Sequence, residues 1–279
     1  MSGVKEPGWM TFGRHAILWV FVAISVYPAI NVFSISLRPG NKLRSTNLDI
    51  IPENWTFDSY IQLFSDQPFL LWLGNSLLVS LAVTVLGVGL ASVGGYALSR
   101  YRFVGRQASM LAILTTQMFP ATMLLLPLYV MIAKLNLVNT FLGLLIFYTA
   151  TALPFCLWHM KGFYDTIPVS LEEAARMDGC SKWKTFLKVT LPLAVPGLVI
   201  TALFSFMTAW SEYIVAAQVL QDREMFTLPL GLKSFQASMS TEWGLYAASA
   251  ILVSIPVVIV FMLLSRYLVS GLTVGGVKE

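Results

Sequence analysis

The chain has 279 residues, 57% of them hydrophobic and only 11% charged, with a mean hydropathy of +0.73. A soluble domain carries about a quarter charged residues, so these figures exclude a water-covered globule, and disorder, collagen and coiled coils with it. The net charge of +4 has meaning only by position, because a bilayer divides such a chain into separately solvated segments.

Taken in chain order, six runs lack Asp, Glu, Lys and Arg: 16–37, 67–99, 107–133, 135–160, 189–211 (continuing past Glu212 to 221) and 243–265. Each reaches the length of about 20 residues that a helix needs to cross the hydrocarbon core. Strict alternation for a membrane barrel is absent, so the expected fold class is an all-α integral membrane protein of six transmembrane helices. The spans are expected at about 16–37, 71–99, 108–133, 138–160, 193–220 and 244–265, within a transmembrane domain over 16–268. Residues 1–15 and 269–279 form the terminal segments. The first run reads as a span and not as a secretory signal: it is 22 residues long, ends in Ser34-Ile-Ser-Leu-Arg38 without a convincing small-x-small cleavage site and is followed by five more.

Lys and Arg in the flanking loops set the orientation. With the N-terminus cytoplasmic, twelve of the eighteen lie inside, including Arg100, Arg102 and Arg106 after the second run and five between Lys161 and Lys188. Both termini are therefore expected in the cytoplasm. Segment 38–67, rich in Asn, Asp, Pro and aromatics, then forms an ordered outer cap, and the polar loop 221–242 is a second outer contact surface. Cys156 and Cys180 lie in surroundings too different for a structural disulfide.

No phosphate loop or HExxH motif occurs, which argues against a self-contained ATPase or a zinc protease. Gly87, Gly89, Gly94 and Gly95 lie in an apolar run and are read as close helix packing through small residues. Pro120, Pro127, Pro154 and Pro256 mark expected kinks, while His159 and Gln117 are read as packing groups. Glu212 is the single acid inside a run. It either lines a pathway, or receives hydrogen bonds that hold a bend near an outer gate, or is simply a bonded, partly wet acid.

The longest cytoplasmic loop, 161–192, carries the most information. After Pro168, Ser170-Leu-Glu-Glu173 reads as a capping box, so a helix is expected over 171–178, ending at Gly179 in a left-handed conformation. Ser181 caps a second helix that ends or kinks at Pro192. A two-turn helix is unstable alone in water, so the first one must dock on something.

Glu173-Ala174-Ala175, three residues, Gly179, nine residues, then Val189-Thr-Leu191-Pro192 resembles the EAA motif of ATP-binding-cassette importer permeases, with Val in place of Ile at one position. Together with Ser170 to Pro196, Met118-Phe119-Pro120, Trp210-Ser-Glu212 and the ending Val269 to Lys278, the chain from Val20 onward is similar to the MalG-type permeases of maltose and maltodextrin importers. The resemblance implies a type I importer permease in the bacterial cytoplasmic (inner) membrane, with no catalytic residue, metal or cofactor of its own. ATP and Mg would be bound by two partner ATPase subunits, beside a homologous MalF-type permease and an extracytoplasmic solute-binding protein. It implies ATPase coupling through Glu173, with Glu172 as an alternative or additional partner, and through Ala174, Ala175, Gly179, Leu191 and Pro192. It also implies a tail, Gly275, Gly276, Val277 and Lys278, reaching between the ATPases, and an outer loop, Phe235, Gln236, Ser238, Met239 and Ser240, reaching toward the binding protein. The sugar is maltose, a maltodextrin or another such as trehalose. An ion-coupled secondary transporter would need several intramembrane ionisable groups, and only Glu212 qualifies.

The charge count gives a direct test. In a chain lacking Cys156 and Cys180, a cysteine at Ser181 should react only with a reagent on the cytoplasmic side and one at Ser240 only with a reagent outside; reversed labelling would overturn the orientation.

Overall fold

In the computed structural model, residues 8–41, 43, 52, 54–236 and 241–276 are described. Among them the structure is helical, with one isolated antiparallel bridge between Gln236 and Thr241. The chain divides into two compact units, one of Met1–Pro68 with Leu232–Ser254 and one of Phe69–Gly231 with Ile255–Glu279.

In the first unit, helix α1 (Gly8–Ser36) is apolar on every side and exposed for most of its length. A helix hydrophobic all round has no aqueous face, which fits a span. It buries only its last turn, at Ser34 and Ser36. There the Ser36 hydroxyl lies 2.9 Å from the Tyr60 hydroxyl of α2 (Asp58–Ser65), and Thr56 donates its backbone N–H to Leu37. Ser59 and Leu63 of α2 are buried, while Trp55, Phe57, Ile61 and Phe64 are exposed.

The second unit holds α3 (Phe69–Arg100), α4 (Arg106–Met118), α5 (Ala121–Lys134), α6 (Phe141–Thr166), α7 (Val169–Met177), α8 (Lys182–Thr185), a π turn (Phe186–Thr190), α9 (Leu191–Leu193), α10 (Val195–Ser211) and α11 (Ile214–Val219). Two helices extend across the sequence boundaries of the units: α12 (Leu228–Ser234) and α13 (Trp243–Gly276). Four helices, α1, α3, α6 and α13, are long and apolar enough to cross a bilayer, and two bent pairs bring the total to six.

Both bends fall at prolines where the sequence leads one to expect a kink. The third run is broken at Phe119-Pro120 and turns through 106°. Its halves, 13 and 14 residues long, are each too short to cross alone. Proline removes an amide donor and pushes the residue before it into extended conformation, as at Phe119 (φ −80°, ψ 129°). The fifth run turns through 76° at Ala194, between Pro192 and Pro196. Pro127, Pro154 and Pro256 lie inside continuous helices.

Helices α3, α6 and α10 pack on one another around two apolar clusters. One gathers Val79, Val83, Phe147, Tyr148, Ala209 and Val219; the other Ala91, Tyr96, Cys156, Met160, Tyr164 and Phe186. Small residues permit the approach. A Cβ at Gly95 would lie 2.8 Å from Met160 Cβ and 3.0 Å from the Lys161 amide, and one at Gly94 would lie 2.5 Å from Leu157, whereas Gly89 has nothing within 4 Å. His159 Nδ1 and Thr201 Oγ1, 3.0 Å apart, add a polar tie between α6 and α10.

Gly95→Ala should therefore lower the melting temperature of the purified protein, with an overpacking cost of about 1–3 kcal/mol. Gly89→Ala, which gains helix propensity without a clash, should leave it equal or higher. Equal destabilisation by both would contradict the packing reading.

Candidate functional site

The cytoplasmic loop forms the short helix expected, but its start is set by different chemistry. α7 begins at Val169, with Pro168 (φ −59°, ψ 129°) as N-cap and no side-chain cap. The capping box is thus corrected: Ser170 lies inside the helix, because Ile167 turns extended, Pro168 fixes its own φ, and the Pro168 carbonyl accepts from Leu171 at 3.3 Å. The C-terminus follows the sequence. Gly179 has φ +87°, its N–H donates to Arg176 and that of Cys180 donates to Ala175, closing a Schellman motif. Ser181 caps α8 by accepting from the Lys184 amide at 3.4 Å.

The two adjacent acids of α7 have opposite surroundings. Glu172 is buried: Oε1 accepts from Arg100 Nε at 2.7 Å, Oε2 from the Tyr96 hydroxyl at 2.9 Å, and Arg176 stands 3.8 Å away. Arg100 is itself nearly enclosed, at 8% side-chain exposure, and its other nitrogens donate to the Ile167 carbonyl and the Ser99 hydroxyl. A buried charge needs such a partner, since removing one member of a buried pair costs about 3–5 kcal/mol. The expectation that Glu172 shares a surface docking role is therefore corrected; its carboxylate is enclosed within its own chain.

Glu173 points the other way. It is exposed, as are Leu171, Ala174 and Met177, while Ala175 is half-buried. Leu171 and Met177 are 45% and 84% exposed, apolar residues on a helix too short to be stable without further contacts. Leu191 and Pro192 do not join this face. Leu191 packs against the Tyr96 and Phe186 cluster, and Pro192 precedes the bend at Ala194, so both belong to the joint leading into α10.

Glu212 sits at the break between α10 and α11 (φ −77°, ψ 129°). Its carboxylate accepts from the amides of Val215 at 3.0 Å and Ala216 at 3.3 Å and from the Tyr148 hydroxyl at 2.8 Å. These bonds satisfy amides left free where a membrane helix stops, as expected of a bonded acid at a bend.

Residues 221–228 of the outer loop are bonded to the ends of neighbouring helices. Trp72 Nε1 donates to the Arg223 carbonyl at 2.8 Å, Asn75 to the carbonyls of Glu224 and Phe226, and Ser76 Oγ accepts from the Leu228 amide. Asn139 accepts from the amides of Gln221 and Asp222 and donates to the Asp222 carboxylate. Phe235, expected as a contact residue, is corrected: it is buried at 4% exposure. Gln236 accepts from Lys233 Nζ at 2.6 Å and bridges Thr241. Ser238, Met239 and Ser240 lie outside the described residues. At the C-terminus the α13 backbone stays helical through Gly275 and Gly276, and Val277 and Lys278 lie outside the described residues.

Sequence reasoning missed Arg100 and Tyr96, counting the first only as an inside charge. The available signal was the Glu172 and Arg176 pair at i,i+4, which marks a helix face distinct from that of Glu173. It also missed Asn75 and Asn139, polar residues near the ends of charge-free runs that needed partners. Among the described residues, no group of three or more His, Cys, Asp or Glu side chains is placed to hold a metal.

Comparison with known proteins agrees with this anatomy. Residues 83–274 match the family described as binding-protein-dependent transport system inner membrane component. The chain is 35% identical to the inner membrane ABC transporter permease protein YcjP of Escherichia coli K12, over 95% of this chain and 96% of that one. It is also 35% identical to the maltose/maltodextrin transport system permease protein MalG of Photorhabdus laumondii, over 98% of each. Among solved structures it resembles, at TM-score 0.81 and 26% identity, a chain from the crystal structure of a bacterial ABC transporter involved in import of the acidic polysaccharide alginate, covering 95% of this chain and 99% of that one. An apolar helical bundle with an EAA-type cytoplasmic helix and these relatives makes the conclusion plain: the chain belongs to the binding-protein-dependent transport system inner membrane components, the non-catalytic permease subunits of ABC importers.

Proposed function

We propose that this chain is the MalG-type half of a heterodimeric permease that imports neutral oligosaccharides of the maltose and maltodextrin class. A homologous MalF-type subunit supplies the other half of the pathway, and the pair is driven by two ATPase subunits and fed by an extracytoplasmic sugar-binding protein. The substrate class rests on the relative named for maltose and maltodextrin.

One observation carries the coupling assignment: the outward side of α7 presents Glu173 beside Met177, with Ala174 and Leu171 further round, while the inward face is fixed to its own chain. Leu171, Ala174 and Met177 supply apolar area to an ATPase cleft, and Glu173 supplies a charge that sets the orientation of a contact surviving large rigid-body motion. ATP and Mg belong to the ATPase, and no cofactor is required here. Closure of the ATPase dimer draws the docked helices together, the spans turn from inward-facing to outward-facing, and sugar released by the binding protein enters the pathway. The Glu212 junction, with its carboxylate on the α11 amides, supplies a bend that keeps its shape as the helices around it move.

Glu173→Lys reverses the charge on the docking face without touching the enclosed Glu172. In proteoliposomes holding both permeases, the ATPase and the binding protein, uptake of labelled maltotriose should fall by about tenfold or more, with weaker co-purification of the ATPase and unchanged insertion of the subunit. Normal uptake would reject the coupling assignment.

A further inference from the structure

The proposed coupling leaves a mechanical question that the enclosed side of α7 answers. α7 is nine residues long and bounded by two joints: Ile167-Pro168 in extended conformation on one side, and Gly179 at φ +87° on the other. A helix of two turns between such joints would swivel when pushed, and displacement at Glu173 would be lost before reaching a span.

We infer that Glu172 is a positioning residue that, through Arg100 and Tyr96, clamps α7 to the cytoplasmic end of α3 so that the two move as one lever. The inference rests on the proposed ATPase contact of α7. The guanidinium of Arg100 serves three elements at once: Nε donates to Glu172 of α7 at 2.7 Å, one terminal nitrogen to the Ile167 carbonyl at the α6–α7 joint at 2.8 Å, and the other to Ser99 of α3 at 3.1 Å. Ser99 in turn donates to Asp165 of α6 at 2.6 Å, and Asp165 pairs with Lys161 at 2.6 Å. Tyr96 adds a second tie: its hydroxyl donates to Glu172 Oε2, while its ring lies 4.7 Å from Phe186 and 5.7 Å from Tyr164.

An apolar contact would hold α7 against α3 but let it slide. Charge-assisted hydrogen bonds to both oxygens of one carboxylate fix orientation as well as distance. Burial strengthens this distinction, because a displaced Glu172 would leave two charges unpaired in an enclosed site, so intermediate positions are disfavoured. Arg176, 3.8 Å from Oε2 with 40% of its side chain exposed, adds charge without closing a direct bond. The two neighbouring acids therefore act in series, Glu173 receiving the displacement and Glu172 passing it to the span.

The test uses the assembled importer in nanodiscs, with Cys156 and Cys180 replaced and spin labels at Val93, exposed on α3, and Asp178, exposed at the end of α7. The clamped pair should give one narrow distance that is the same without nucleotide and with ATP bound. Glu172→Gln, which keeps shape but removes charge, should broaden that distance and make it nucleotide-dependent, while labelled maltotriose imported per ATP hydrolysed falls by about tenfold. Should Glu172→Gln fail to assemble, Arg100→Lys keeps the charge, removes the three-way fork and should broaden the distance in the same way. A distance that shifts with nucleotide in the unmutated chain, or one that stays narrow and invariant in both variants, overturns the inference. Co-purification of the ATPase with the unmutated chain, scored on the same samples, judges the coupling reading separately. If that contact is absent, the nucleotide-free width in the permease alone still decides the clamp.

Discussion

The ion pair between Glu172 and Arg100 is the constraint on which the cytoplasmic side of this protein depends. It encloses a carboxylate and a guanidinium in an interior where neither could stand alone, and it links the ends of two long helices to a helix of nine residues. Helix propensity cannot maintain so short an element in water. The internal pair supplies one side of the packing that α7 requires, and the exposed Leu171, Glu173, Ala174 and Met177 leave the other side to a partner. Two adjacent acids on one helix thus face opposite surroundings because consecutive residues are about 100° apart around the axis.

The apolar part of the chain obeys a related rule, that backbone groups released from a helix inside a membrane must find partners within the protein. At the end of α10 the Glu212 carboxylate meets the first free amides of α11, and Tyr148 shares it. At Ala194 two prolines bracket the bend, so the missing donors fall where the helix already turns. At the outer ends of α3 and α6, Trp72, Asn75, Ser76 and Asn139 bond the backbone of residues 221–228, giving the loop a rigid base.

Much of this was legible in the sequence because it follows from one-dimensional signals. Lack of charge over about 20 residues reports a span whatever it packs against. Gly179 and Ser181 report helix ends because their roles are local, one needing a left-handed residue and the other a hydroxyl beside free amides. What the sequence withheld depended on residues distant along the chain. Glu172 and Glu173 have the same composition around them, and only Arg100, 72 positions away, decides which is enclosed. The Ser170 box failed because a local signal from Pro168 overrode it, and Phe235 because the polar residues around it said nothing of its burial. The third run gave no sign of the angle at Pro120, since a proline marks where a helix bends and not how far.

α7 has two faces in contrasting surroundings, one anchored inward by Glu172 and one exposed outward at Glu173. A high-resolution structure of the assembled importer, without nucleotide and with ATP bound, tests it most directly. The account predicts that Leu171, Glu173, Ala174 and Met177 are buried against the ATPase in both states, with Glu172 still bonded to Arg100 and Tyr96 and the α7–α3 geometry unchanged. An ATPase contact made by Glu172 itself, or an ion pair to Arg100 that opens as the nucleotide binds, would contradict it.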